Sequence, residues 1–145
     1  MTTIKFKLIH PHARLPAYAT SGAAAFDFYA PEPGRVRPCD VTKVGLGLAC
    51  EIPPGFAMLL LPRSGHGLKH NAGIPHGVGL IDSDYRNEIA MVFRPDDGFH
   101  SPLTWQRGDR IAQGLIIPAP QYTLELVPEL SDTERGMGGF GSTGQ

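Results

Sequence analysis

Three features of the sequence predict an all-β subunit: a jelly-roll-like distorted β-barrel with one short helix and a flexible C-terminal arm. Apolar residues come in short runs, several with the alternation of a half-buried strand. Gly and Pro supply 18 and 14 of the 145 residues and cluster between those runs, where turns are needed. No window holds helical periodicity beyond two turns. Many short strands at regular spacing are best buried by closing the sheet or doubling it.

The elements follow in order. Ile4, Phe6 and Leu8 alternate with Lys5 and Lys7, a first strand. "AAAFDFYA" places Asp27 between Phe26 and Phe28 in an aromatic strand. "PEPGRVRP" is a turn cluster. "VTKVGLGLACEI" puts Val44, Leu46 and Leu48 on one face of a strand, and "IPPG" turns the chain into "FAMLLL", a fully buried strand. "SGHGLKHN" is the best short helix, with Ser64 as its N-cap. "GVGLIDSDYRNEIAMVF" reads as a hairpin. With Ser83 and Asp84 as a two-residue turn, Asp82 pairs with Tyr85 and Gly77 with Ala90. "EIAMVF" and "RIAQGLII" are further strands, separated by "RPDDG" and "QRGD". "YTLELV" alternates once more. One domain is expected over 1–130, and the polar, glycine-rich stretch 131–145 reads as an arm.

Bulk composition excludes several classes. The net charge is −1, too little positive charge for a nucleic-acid surface. No apolar run is long enough for a membrane span, and the first residues read as a strand, not a leader. Cys39 and Cys50 lack metal-ligand spacing and suit a cytoplasmic protein. His66 and His70 are four apart, but no third ligand accompanies them.

Five stretches carry candidate chemistry. Asp82 sits against Ile81 at the dry end of a strand, where apolar walls raise a carboxyl pKa toward general-base range; ordinary turn chemistry explains the acids equally well. Gly77 and Ala90 are small enough to leave backbone groups open to a flat ligand. Arg63, Ser64 and Gly65 combine a cation, a hydroxyl and a helix start, which suits an anion as well as a plain capped helix. Gln113 is a long amide in an apolar strand, and Asp27 is an acid needing a partner or a metal shell. The chain ends "ERGMGGFGSTGQ". Gly136, Gly138 and Gly141 match G-x-G-x-x-G, but no helix follows, so the dinucleotide reading fails. What remains is an arm with a cation, Arg135, glycine amides that can form anion nests, and a ring, Phe140.

The order of these stretches is more telling than any one of them. "AAFDFYA", "PRSG", "GLIDSDYRNE", "RIAQ" and "RGMGGFGSTG" resemble, in sequence, the five motifs of the trimeric deoxyuridine triphosphatases (dUTPases), across residues 24 to 144. That resemblance implies a homotrimer with three interfacial sites. Each would use Mg²⁺ to hydrolyse dUTP to dUMP and pyrophosphate, limiting uracil in DNA and supplying dUMP for dTMP synthesis. It implies Asp82 as the base that orients water for in-line attack on the α-phosphorus, and Tyr85 as a steric gate against a 2′-hydroxyl. Arg63, Ser64, Gly65 and Gln113 match phosphate contacts. Gly77, Leu80, Ile81 and Ala90 belong to the base-reading hairpin, and Asp27 to a metal held through water. The arm resembles a lid lent to a neighbouring subunit: Phe140 on uracil, Gly141, Ser142 and Thr143 around the phosphates, Arg135 on the γ-phosphate. His76 stands where Asn is common, Asn87 where Gly is usual, and Ala25 where Gly opens the first motif. Three rivals share parts of this pattern: the related dCTP deaminases, which carry Glu at the position of Asp82 and lack the arm, a trimeric nucleotide-binding regulator, and a structural jelly roll.

Overall fold

The computed structural model describes residues 3–96 and 102–139. These residues form eleven strands and one helix: β1 Lys5–Leu8, β2 Ala17–Tyr18, β3 Phe26–Tyr29, β4 Gly34–Val36, β5 Thr42–Gly45, β6 Leu48–Glu51, β7 Phe56–Pro62, α1 Ser64–His70, β8 Gly79–Ile81, β9 Ala90–Phe93, β10 Leu103–Trp105 and β11 Arg110–Pro118. A five-stranded sheet runs β2-β3-β11-β7-β8, and three antiparallel pairs, β1-β6, β10-β4 and β5-β9, complete the mostly-β, jelly-roll-like body. Side chains from all four sheets meet in one core, where Phe28, Phe93, Leu46, Leu48, Ile52, Met58, Ile89 and Ile111 are fully buried.

β7 and β11 form its spine, paired from Ala112 opposite Pro62 to Pro118 opposite Phe56. Gly114 lies at their centre: a Cβ there would overlap the Phe26 ring and the Met58 sulfur, so only glycine fits. β7 is less completely buried than expected, since Leu59 and Leu61 are only half-buried on its other face.

Four local expectations are corrected. "VTKVGLGLACEI" is two strands, because Gly47 takes a left-handed φ of 69° and turns the chain between β5 and β6. Ser64 is the first residue of α1; Arg63 is the N-cap, extended at φ −81° and ψ 145°, with no side-chain cap bond. The hairpin over 77–93 does not form a ladder. Its turn exists, with the Tyr85 N–H donating to the Asp82 carbonyl at 3.2 Å, but the arms part. β8 pairs with β7, and β9 pairs with β5, so Ala90 faces Gly45 rather than Gly77. Finally, "YTLELV" is no strand in the single chain. Tyr122, Leu124 and Leu126 are 78%, 92% and 100% exposed, an alternating pattern with no sheet edge to join.

Candidate active site

One group of site residues gathers where β3, β11 and β7 run side by side. Asp27 lies opposite Gln113, and Gln113 opposite Leu61, so the acid and the amide share one face of the sheet. Gln113 donates its amide N–H to the Pro62 carbonyl at 3.0 Å, which aims it at the end of β7. Asp27 is the one buried charged side chain among the described residues, and it is fully partnered. Arg63 Nε donates to one carboxylate oxygen at 2.9 Å and Arg110 donates to the other at 3.2 Å. Arg63 thus caps α1 with its carbonyl, accepting from His66 and Gly67, while its guanidinium reaches back to the sheet. Ser64 and Gly65 are exposed on the first turn of α1, where backbone N–H groups lack intrahelical acceptors.

No sequence pattern marks Arg110 as a site residue. In a regular strand, residues three apart point to opposite faces, so Arg110 belongs on the other side from Gln113. A register shift between Arg110 and Ala112 inserts the extra residue that brings Arg110 opposite Tyr29, on the face of Asp27. No periodicity signals such a bulge.

The second group surrounds the turn after β8. Asp82, Asp84 and Tyr85 are exposed, and Arg86 ties the turn together by donating to the carbonyls of Ser83, at 2.7 Å, and Tyr85, at 3.1 Å. The Tyr85 hydroxyl donates to the Glu88 carbonyl at 3.0 Å. A cleft of about 450 Å³ opens beside the turn, lined by Phe56, Ala57, Asp82, Ser83, Asp84, Ala119 and Gln121. Asp82 itself stays exposed, so the described residues of its own chain do not enclose it in the dry walls expected. Ile81 and Gly79 are half-buried on β8, Leu80 points out at 58% exposure, and Gly77 turns at φ 88° beside exposed His76.

The two groups do not meet. Ile81 lies opposite Met58, near the start of β7, whereas Gln113 lies opposite Leu61, near its end. Asp82 is one residue further from that end, so four residue rises, roughly 13 Å, separate it from Gln113 along the strand. Arg135 is exposed in a glycine turn in which Gly136, at φ 52°, donates to Thr133 at 2.9 Å and Gly138 donates to Arg135 at 3.0 Å. Phe140, Gly141, Ser142 and Thr143 lie outside the described residues.

One other cluster among the described residues bears on cofactors. His10, His12 and Glu32 converge on the surface, with His12 Nδ1 2.7 Å from Glu32. The donor geometry suits an ion pair better than a metal. The His12 backbone N–H donates to His10 Nδ1 at 3.2 Å, which leaves the proton on the Nε2 that would have to ligate. Arg107, 3.0 Å from His12, adds a competing cation. The His12 hydrogen bond holds Glu32 below the usual carboxyl range. On α1, burial first and Arg63 second push His66 below its ordinary pKa.

Asp27 fits the Mg²⁺ implied by the motif resemblance only at one remove. Two guanidinium groups beside it oppose direct ligation, yet each oxygen keeps lone-pair capacity for a metal-bound water. Mg²⁺ commonly keeps its waters and binds chiefly through substrate phosphates.

Known proteins are similar to this chain over nearly its full length. The dUTPase family model matches residues 11–144. A deoxyuridine 5'-triphosphate nucleotidohydrolase of Anaeromyxobacter sp. is 46% identical over 135 residues, covering 93% of this chain and 90% of the relative. The enzyme of the same name from Nautilia profundicola is 41% identical over 144 residues, covering 98% and 99%. Among solved structures, a variant of the Staphylococcus bacteriophage 80alpha dUTPase with dUpNHpp superposes with a TM-score of 0.86 at 26% identity, over the whole of both chains. With five motifs in order, the fold that carries them and relatives matched end to end, the chain belongs to the dUTPase family.

Proposed function

We propose that this chain hydrolyses dUTP to dUMP and pyrophosphate, as a homotrimer whose sites are each assembled from more than one subunit. The observation that carries the reading is the separation of the two residue groups. A general base must lie within hydrogen-bond reach, directly or through one water, of the atom it serves. Asp82 and the Arg63–Gln113 group, roughly 13 Å apart along one sheet, do not reach the same phosphorus from one chain. A second copy can bring its Asp82 to the first copy's Arg63, Ser64, Gly65 and Gln113. The exposed alternation at Tyr122, Leu124 and Leu126 supports the same assembly, because such a segment is a strand lacking a partner edge.

In this reading Arg63, the α1 amides and Gln113 hold the triphosphate. Asp82 takes a proton from water as the oxygen attacks the α-phosphorus, and the bond to the bridging oxygen breaks to release pyrophosphate. Tyr85 packs against the deoxyribose, and the backbone of Gly77, Leu80, Ile81 and Ala90 with His76 reads the base. Mg²⁺, held by the triphosphate with Asp27 accepting from its waters, would neutralise phosphate charge. The domain spans 1–130, and the arm 131–145 closes over a neighbour's site with Arg135 on the γ-phosphate and Phe140 on uracil. Closure excludes water and strengthens each charge interaction inside. A cytoplasmic setting follows from the substrate. Among the described residues, no helix is long and apolar enough to cross a membrane.

The test is pyrophosphate release, with Mg²⁺, from dUTP, dCTP, dTTP and UTP in parallel. Release from dUTP alone is expected. Ammonia from dCTP would point to a deaminase, and no release from any nucleotide would leave a binding protein.

A further inference from the structure

Glu88 ends the third motif, and the reading above gives its side chain no role. We propose that Glu88 is a positioning residue for Tyr85, and so sets discrimination between deoxyribose and ribose. This rests on the reading of Tyr85 as the gate.

The support is a chain of contacts from the core to the ring. The outer end of Tyr85 is tied at its hydroxyl to the backbone carbonyl of Glu88. Glu88 is held in turn by its own side chain: one carboxylate oxygen accepts from the Gly47 N–H at 2.9 Å. Gly47 is the left-handed residue that breaks β5 from β6, so this N–H is turned out of the ladder. The neighbouring residue is fastened as well. Ile89 donates to Leu48 at 2.8 Å and accepts from Leu46 at 2.9 Å, and its side chain is fully buried. The space for the carboxylate exists because residue 45 has no side chain. A Cβ on Gly45 would overlap the carboxylate group of Glu88. Two glycines thus form a slot on the barrel wall, and Glu88 fills it.

A gate that rejects one hydroxyl works only as well as its backing holds it, and displacement of the order of an ångström at a site can cost about 10²-fold. Glu88 supplies that backing without needing to touch substrate. A strut serving stability alone would lower turnover of both sugars together. A gate support changes their ratio.

The experiment compares kcat/KM for dUTP and UTP in the full chain and in Glu88→Asp, Glu88→Gln and Gly45→Ala, with thermal melting as a fold check. Aspartate keeps the charge but falls one methylene short of Gly47. Gln keeps an oxygen that accepts the same N–H. Alanine at 45 evicts the carboxylate without altering Glu88. We expect Glu88→Asp and Gly45→Ala to lower the dUTP-to-UTP ratio by roughly 10-fold or more, mainly through increased UTP use, and Glu88→Gln to hold it. An unchanged ratio in the two disruptive variants would overturn the proposal, as would an equal fall in Glu88→Gln. An unaltered chain that ignores dUTP, or uses UTP as readily, would instead refute the gate reading and the proposal with it.

Discussion

Asp82 and Asp27 show how one residue type takes two roles through its surroundings. Asp27 is buried and clamped by Arg63 and Arg110, so its charge is used in holding two guanidinium groups beside Gln113. Asp82 is exposed at a turn, with no ion pair among the described residues, so its carboxylate is open to substrate. Asp82→Asn is therefore expected to lower turnover by at least about 10²–10⁴-fold while dUTP still binds. Single-turnover kinetics beside equilibrium binding would separate the two, and ordinary turnover would remove Asp82 as the base. Arg135→Ala should cost roughly 10³–10⁵ in rate if the arm acts on developing phosphate charge. A smaller loss, matched by weaker binding, would make it a ground-state contact.

At the scale of elements, β11 and α1 lend themselves to measurement. Gly114→Ala forces a methyl into the Phe26 ring and Met58, and overpacking of this kind costs about 1–3 kcal/mol, readable by denaturant unfolding. A neutral result would mean that the sheet gives way there. On α1, His66 packs edge-on to Phe93, and burial, with Arg63 nearby, depresses its pKa. In the unfolded chain this group titrates near its ordinary value, about 6.5. Between that value and the lower folded one, the unfolded state binds more protons, so stability falls as pH falls through the window. His66→Phe should flatten that part of the stability–pH curve. An unaltered slope would assign the acid sensitivity elsewhere.

The whole molecule is where the tail matters. Leu124 and Leu126 are apolar and almost fully exposed in one chain, and Tyr122 continues the same alternating face. Leu124→Asp with Leu126→Asp should shift the assembly toward monomer and abolish activity together, as read by light scattering and pyrophosphate release. A trimer that survives both charges would free this segment from the interface. Mixing Asp82→Asn chains with Arg135→Ala chains offers an independent check. If sites combine residues from different subunits, some mixed trimers contain an intact set and activity returns in part. Confirmed exchange without recovery would place Arg135 on the same chain as the Asp82 it serves.

Much of this was legible in the residues themselves. Alternation at Ile4 to Leu8, the apolar runs of β7 and β11, and the turn residues between them report burial and chain reversal, which are local properties. The five motifs carry their identity in side-chain type and order. Pairing was not legible. A hydrophobic period says which face is buried but not which strand lies beside it, so "GVGLI" and "EIAMVF" read as one hairpin although they join β7 and β5. The bulge that swings Arg110 onto Asp27, and the two glycines that admit Glu88, depend on contacts between residues 83 and 41–43 positions apart, respectively. The tail reverses the lesson. Its sequence specifies a strand, but a strand needs an edge to bond, and the described residues of one chain offer it none.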